Sequence, residues 1–186
     1  YICDYGYELD GVIIMGTGHQ PTPMVLAGKA LADITRLIKG DRCRSRLISK
    51  IMFGAYNKHI KNVRTSNDWL TRDEAVVDEY NAGKLTTFLF TVNGYRGLMN
   101  MILYVRKPRN IAKIPKNLPM LMVSGLDDPV GEYGKGVYRA YNTYHGHIDD
   151  IDLRLFEDCR HELCNELNKE EIYEEIYGWI MDHMNK

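Results

Sequence analysis

The sequence predicts an α/β fold in which a parallel sheet is flanked by helices and interrupted by a mostly helical insertion. Two short apolar runs, residues 11–15 (GVIIM) and 119–124 (PMLMVS), read as strands buried on both faces. From Pro119 onward, strand patterns (119–124 and 151–156) alternate with helical ones (131–144 and 169–184), the spacing of crossover units in a parallel sheet. Between the two runs the chain is dominated by helical periodicity, so the insertion belongs there.

Taken in order, residues 1–7 read as part of a helix, and the strand at 11–15 ends in Gly16, Thr17 and Gly18, a tight loop. Residues 28–39 place Ala30, Leu31, Ile34, Leu37 and Ile38 at helical spacing, and Gly40 stops them. A second helix fits 45–53. Residues 54–90 are dotted with Tyr56, His59, Trp69, Tyr80 and Phe88, an irregular or helical stretch. Within it, 73–80 reads as a short helix with Thr71 as N-cap and Glu74 as its capping-box partner. Residues 94–107 form an amphipathic helix closed by Pro108. In the last helix, Ile172, Ile176, Trp179 and Ile180 share one face.

At 186 residues with 45% hydrophobic and 26% charged residues, the chain fits one globular domain. No apolar run approaches the roughly 20 residues of a membrane span. The net charge of −1 gives no global field to recruit nucleic acid. The charge is unevenly placed: residues 29–64 carry ten Lys or Arg against two Asp, whereas residues 149–186 carry four basic and twelve acidic residues. Two solvated faces account for this split. Four cysteines without C-x-x-C or metal-finger spacing suit a reducing, cytoplasmic setting. The chain begins with Tyr1 rather than Met, and residues 1–8 lack the basic start and apolar stretch of a signal peptide, so it is expected to be part of a longer protein.

Two clusters carry chemistry. In residues 124–131 (SGLDDPVG) an apolar strand gives way to a turn with two carboxylates, at the strand end where ligands gather in open α/β sheets. Alone, Asp127 or Asp128 there reads as a helix cap or Asx turn. In residues 156–166 (FEDCRHELCNE), His161 follows the next strand; alone it reads as an exposed loop histidine. Together they gain meaning. A carboxylate on one ring nitrogen fixes the imidazole tautomer and stabilises its cation, while the other nitrogen takes a nucleophile's proton.

Residues 118–131 (LPMLMVSGLDDPVG) and 160–166 (RHELCNE) resemble the acid and histidine segments of the α/β-hydrolase superfamily, in particular bacterial lysophospholipases and monoacylglycerol lipases of the serine aminopeptidase type. Residues 9–17 (LDGVIIMGT) resemble the strand after the nucleophile's helix, and 67–73 (NDWLTRD) a lid segment of the same subgroup. The resemblance implies an incomplete hydrolase core at 1–20 and 106–186, with a lid or cap at 21–105. It implies the acid on Asp128, three positions after Gly125, rather than on Asp127, and the general base on His161. The nucleophile elbow G-x-S-x-G is absent: Ser45, Ser49, Ser66 and Ser124 are the only serines, none between glycines at the required spacing. Its expected place lies upstream of Tyr1.

The implied activity is cleavage of carboxylic esters of monoacylglycerols or lysophospholipids through an acyl-enzyme, with no cofactor and no metal, this chain alone being inactive. The implied partners are a small acyl ester and, through the lid, a membrane surface; no nucleic acid is expected. A noncatalytic acyl-binding module, or a hydrolase of peptides or other acyl compounds, is the alternative. His145, His147, Asp149 and Asp150 read as a solvated turn rather than a metal site. Residues 131–136 (GEYGKG) lack the P-loop pattern.

Overall fold

A computed structural model describes residues 1–184; residues 185 and 186, the end of the expected core segment, lie outside it. Three strands, β1 (Val12–Met15), β2 (Met120–Gly125) and β3 (Ile151–Phe156), form one sheet in the order β1-β2-β3. Both pairings are parallel, with Ile13 opposite Leu121 and Leu121 opposite Asp152. The parallel sheet flanked by helices is thus present.

Every residue of β2 is buried, which is why its sequence is apolar without alternation. Its side chains divide between two layers. Met120 and Met122 pack with Val137 and Ala140 of α7 (Lys135–His145), together with Val12, Ile14, Leu153 and Leu155. Leu121 and Val123 pack with Ile172 and Trp179 of α8 (Lys169–Met184), together with Ile13 and Met15. The sheet therefore has α7 on one face and α8 on the other.

The N-terminal residues form a short helix, α1 (Ile2–Tyr5), continued by a 3₁₀ turn at Gly6–Glu8. Between β1 and β2 lie α2 (Thr22–Lys39), α3 (Arg46–Phe53), α4 (Glu74–Ala82), α5 (Val92–Val105) and the short α6 (Pro108–Ile111). Ala32, Ile48, Val92 and Tyr95 give this segment a small core of its own. Ser45 caps α3 by accepting from the Ile48 amide, and Thr91 caps α5 by accepting from the Gly94 amide.

Four boundaries differ from expectation. α2 starts at Thr22, six residues early, because Pro23 in its first turn needs no N–H partner. α5 starts at Val92 because Thr91 supplies the cap. α4 is capped by Asp73, whose carboxylate accepts from the Ala75 and Val76 amides; Thr71 instead donates to the Asn165 carbonyl at 2.8 Å. α7 starts at Lys135 rather than 131, because Glu132, Tyr133 and Gly134 all have positive φ.

Candidate active site

Asp128 and His161 meet beyond the C-terminal ends of β2 and β3. Asp128 sits in the turn after Gly125 and is fully buried. One carboxylate oxygen, Oδ1, accepts from the Val130 amide at 2.8 Å. The other, Oδ2, lies 3.0 Å from His161 Nδ1 and 3.5 Å from the Ser124 hydroxyl. Because a carboxylate only accepts, Nδ1 carries the proton and the neutral ring is left with its lone pair on Nε2. Among the described residues no group hydrogen-bonds Nε2, and the side chain is 26% exposed. Asp127 is exposed, its amide tied to the Cys159 carbonyl at 2.9 Å.

Two glycines let these groups approach. A Cβ on Gly125 would fall 2.0 Å from the Cys159 carbonyl oxygen and 2.4 Å from that of Arg160, so the His161 loop lies directly against the strand end. Gly16, at the end of β1 with φ +61°, would put a Cβ 3.0 Å from the His161 ring. All three strands therefore contribute backbone to the site, each through its C-terminal end.

The insertion supplies the other wall. Trp69 lies against His161, with ring centroids 5.1 Å apart, and Tyr56 packs edge-on against Trp69 at 4.9 Å. Burial, and then the negative charge of Asp128, push the Tyr56 hydroxyl up to about 12. Tyr133, close to Asp127 and Asp128, is raised by burial and by those two carboxylates. Trp69 also lines a cavity of ≈ 630 Å³ bounded by Phe53, Phe88, Phe90 and Tyr95, with Ser49 and Ser66 on its wall.

Sequence patterns did not single out Tyr56 as a neighbour of Asp128, nor Trp69 as a neighbour of His161. Their positions lie 72 and 92 residues away along the chain, so local periodicity carries no signal for them. The quoted motif 67–73 was the sign that could have pointed to Trp69.

The expected solvated turn around His145 to Asp150 is pinned in part: His147 Nε2 bonds the Ile114 carbonyl at 2.7 Å, and His145 packs edge-on against Tyr141. Among the described residues, the ligand atoms that converge are those of Asp150, Asp152 and His183, within 4.8 Å of one another. They sit at the opposite end of β3 from His161 and already have partners. Trp179 Nε1 donates to Asp152, and His183 Nδ1 donates to the Trp179 carbonyl. Among the described residues no helix is long and apolar enough to cross a membrane.

Comparison with known proteins agrees with this arrangement. A carboxyl esterase from Bacillus coagulans, solved with glycerol, superposes with a TM-score of 0.84 at 21% identity, covering 100% of this chain and 59% of its own. A soluble variant of monoglyceride lipase from Saccharomyces cerevisiae, solved with a substrate analogue, gives 0.67 at 18% identity, covering 98% and 57%. The monoacylglycerol lipase of Paleococcus ferrophilus gives 0.67 at 16%, covering 98% and 63%. At these identities the likeness concerns the fold, and the chain spans less than two thirds of each relative's length. No curated protein matches. The family described as serine aminopeptidase, S33, matches residues 1–168, nine tenths of the chain and all of the strand ends that build the site. The chain thus belongs to this serine aminopeptidase family and carries part of its α/β-hydrolase fold.

Proposed function

We propose that the complete protein is a serine hydrolase of carboxylic esters, acting on monoacylglycerols or lysophospholipids, and that this chain supplies its acid and its base. The observation that carries the reading is the buried Asp128 carboxylate 3.0 Å from His161 Nδ1, with Nε2 left open. A serine hydroxyl on a segment preceding Tyr1 gives its proton to His161 Nε2 as its oxygen bonds to the ester carbonyl carbon. Asp128 keeps the ring in the required tautomer and stabilises the imidazolium. The imidazolium returns the proton to the departing alcohol as the ester C–O bond breaks. Water then repeats the sequence on the acyl-enzyme and releases the carboxylic acid.

Residues 21–105 serve as the lid. The aromatic wall of Trp69, Phe53, Phe88 and Phe90 suits an acyl chain, because it buries methylene groups without asking for hydrogen bonds. Leu37, Ile38, Leu47 and Ile51 lie exposed among Lys39, Arg42, Arg46 and Lys50, a mixture that favours contact with an anionic membrane surface. The four free thiols fit a cytoplasmic setting.

Labelling of the full-length protein with a fluorophosphonate probe tests the reading. Wild type labels, His161→Ala does not, and Asp128→Asn reacts slower by about 10³- to 10⁴-fold because the ring loses its tautomer. Equal labelling of wild type and His161→Ala overturns the role of His161. Hydrolysis rates across monoacylglycerols, lysophospholipids and aminoacyl amides separate the ester reading from a peptidase.

A further inference from the structure

Glu166 is a buried carboxylate that the proposed reaction does not use. Its side chain is fully shielded, yet it receives hydrogen bonds from two parts of the chain. Oε1 accepts from the Arg160 amide at 2.7 Å, next to the base. Oε2 accepts from Arg72 Nε at 2.9 Å, and the Arg72 amide reaches both oxygens at 3.3 Å. A buried charge is tolerated only when paired and hydrogen-bonded, and here the neighbouring Leu167 amide, at 3.3 Å from Oε2, is joined by donors from the His161 loop and from the insertion.

Other bonds run in parallel. Arg160 Nη1 donates to the carbonyls of Asp68 (2.6 Å) and Thr71 (2.9 Å), and the Glu162 amide donates to the Leu70 carbonyl at 2.7 Å. Arg72 Nη2 also donates to Asn168 at 2.6 Å. Residues 68–72 are therefore laced to residues 160–168 from both sides. In the middle of the lacing stand Trp69 and His161, the one pair of rings in contact across it.

We infer that Glu166 and Arg72 are positioning residues for His161, coupling the orientation of the base to the seating of the insertion. The coupling has a direct geometric reason: the Glu166 carboxylate holds the amide of the residue immediately before His161 and the backbone of the residue three after Trp69. Loss of the carboxylate frees both at once. Glu166→Gln is a severe change despite equal volume, because its amide NH₂ would face N–H donors and leave one of them unmet. The catalytic part of this inference rests on the proposed function; the positioning part does not.

The experiment uses the full-length protein and reads the His161 ring itself. The Nδ1 proton held by the Asp128 carboxylate gives a far-downfield proton NMR resonance, assigned by its loss in His161→Gln. In Glu166→Gln and in Arg72→Gln this resonance shifts or broadens, while Arg72→Lys, which keeps the charge, restores part of the signal. Ile114→Ala, in the core on the α7 side of the sheet, lowers stability and leaves the resonance in place. With an ester substrate, Glu166→Gln lowers kcat by about 100-fold, as a misplaced catalytic group does, with KM little changed. An unchanged resonance in folded Glu166→Gln or Arg72→Gln overturns the inference. If Glu166→Gln does not fold, Arg72→Gln, altered at a partly exposed side chain, gives the same reading. A perturbed resonance in a protein whose wild type hydrolyses no ester upholds the positioning role and overturns the proposed function alone.

Discussion

Strand β2 and the insertion between β1 and β2 solve the problem of cohesion in different ways. β2 is buried along its whole length and packs against both helical layers, so its neighbours meet it through apolar side chains and bare backbone. The insertion has a small core of four buried residues, while Leu37 and Ile38 remain 78% and 75% exposed. Where it meets the His161 loop, the Trp69 to His161 ring contact is surrounded by polar ones: Arg72 to Glu166, Arg160 to two carbonyls, Thr71 to Asn165. Close packing tolerates little change at a single atom, whereas the neutral hydrogen bonds among these, of roughly 1 kcal/mol each, can be lost singly. The site thus has a rigid side, made of strand ends, and an adjustable side, made of the insertion.

The sharpest way to break this distinction is to add one methyl group in each region. In Gly125→Ala the new carbon would lie 2.0 Å from the Cys159 carbonyl oxygen, so the His161 loop must move away. A loss of about 3 kcal/mol or more is expected in denaturant unfolding. Gly97 in α5 has no atom within 4 Å of the corresponding point. There, Gly97→Ala should add about 0.5–1 kcal/mol by removing backbone freedom from the unfolded chain. Similar effects from the two substitutions would mean that the two regions are not held differently.

Deleting apolar atoms gives a smaller contrast. Met122→Ala empties space in a fully buried strand and should cost about 2–5 kcal/mol, whereas Ile38→Ala, on an exposed helix face, should stay within about 0.5 kcal/mol. Ile38→Ala should instead weaken sedimentation of the full-length protein with vesicles of anionic lipid. A large stability loss from Ile38→Ala would place that side chain in an interior contact and remove it from any membrane face.

The rigid side was also the legible side. Continuous apolar runs announced β1 and β2, since a strand covered on both faces has no polar face to preserve. The turn after Gly125 and the loop holding His161 followed from strand ends, and the likeness to a hydrolase pointed to Asp128 over Asp127. The start of α7 was misplaced because Glu132, Tyr133 and Gly134 take positive φ in a local turn, the Glu132 amide bonding the Pro129 carbonyl and the Tyr133 amide the Asp128 carbonyl. Thr71 failed as a cap because of a distant partner, its hydroxyl being drawn to Asn165 across 94 residues. The lacing around Glu166 joins residues equally far apart, and no period in the sequence reports such a pairing.

Acid should loosen the adjustable side first, and this is the smallest effect expected. Burial works against the charged form of Asp68, but the Thr65 hydroxyl and the Arg64 and Thr65 amides hold its carboxyl below the ordinary carboxylate range. A native value below the unfolded one means that the unfolded chain binds its proton at higher pH. The stabilisation is therefore complete above the unfolded value of about 3.9 and disappears as pH falls through the native value. Asp68→Asn should reduce stability by the same amount at pH 8 and pH 5, and by progressively less below about pH 4. Since the Asp68 carbonyl receives Arg160 and Trp69 follows it, the same acid range should alter the Trp69 to His161 contact before the sheet unfolds. Hydrogen exchange of amides 64–73 and of β2 across that range decides the point. Protection lost together in both segments would show that the insertion is no looser than the strand it covers.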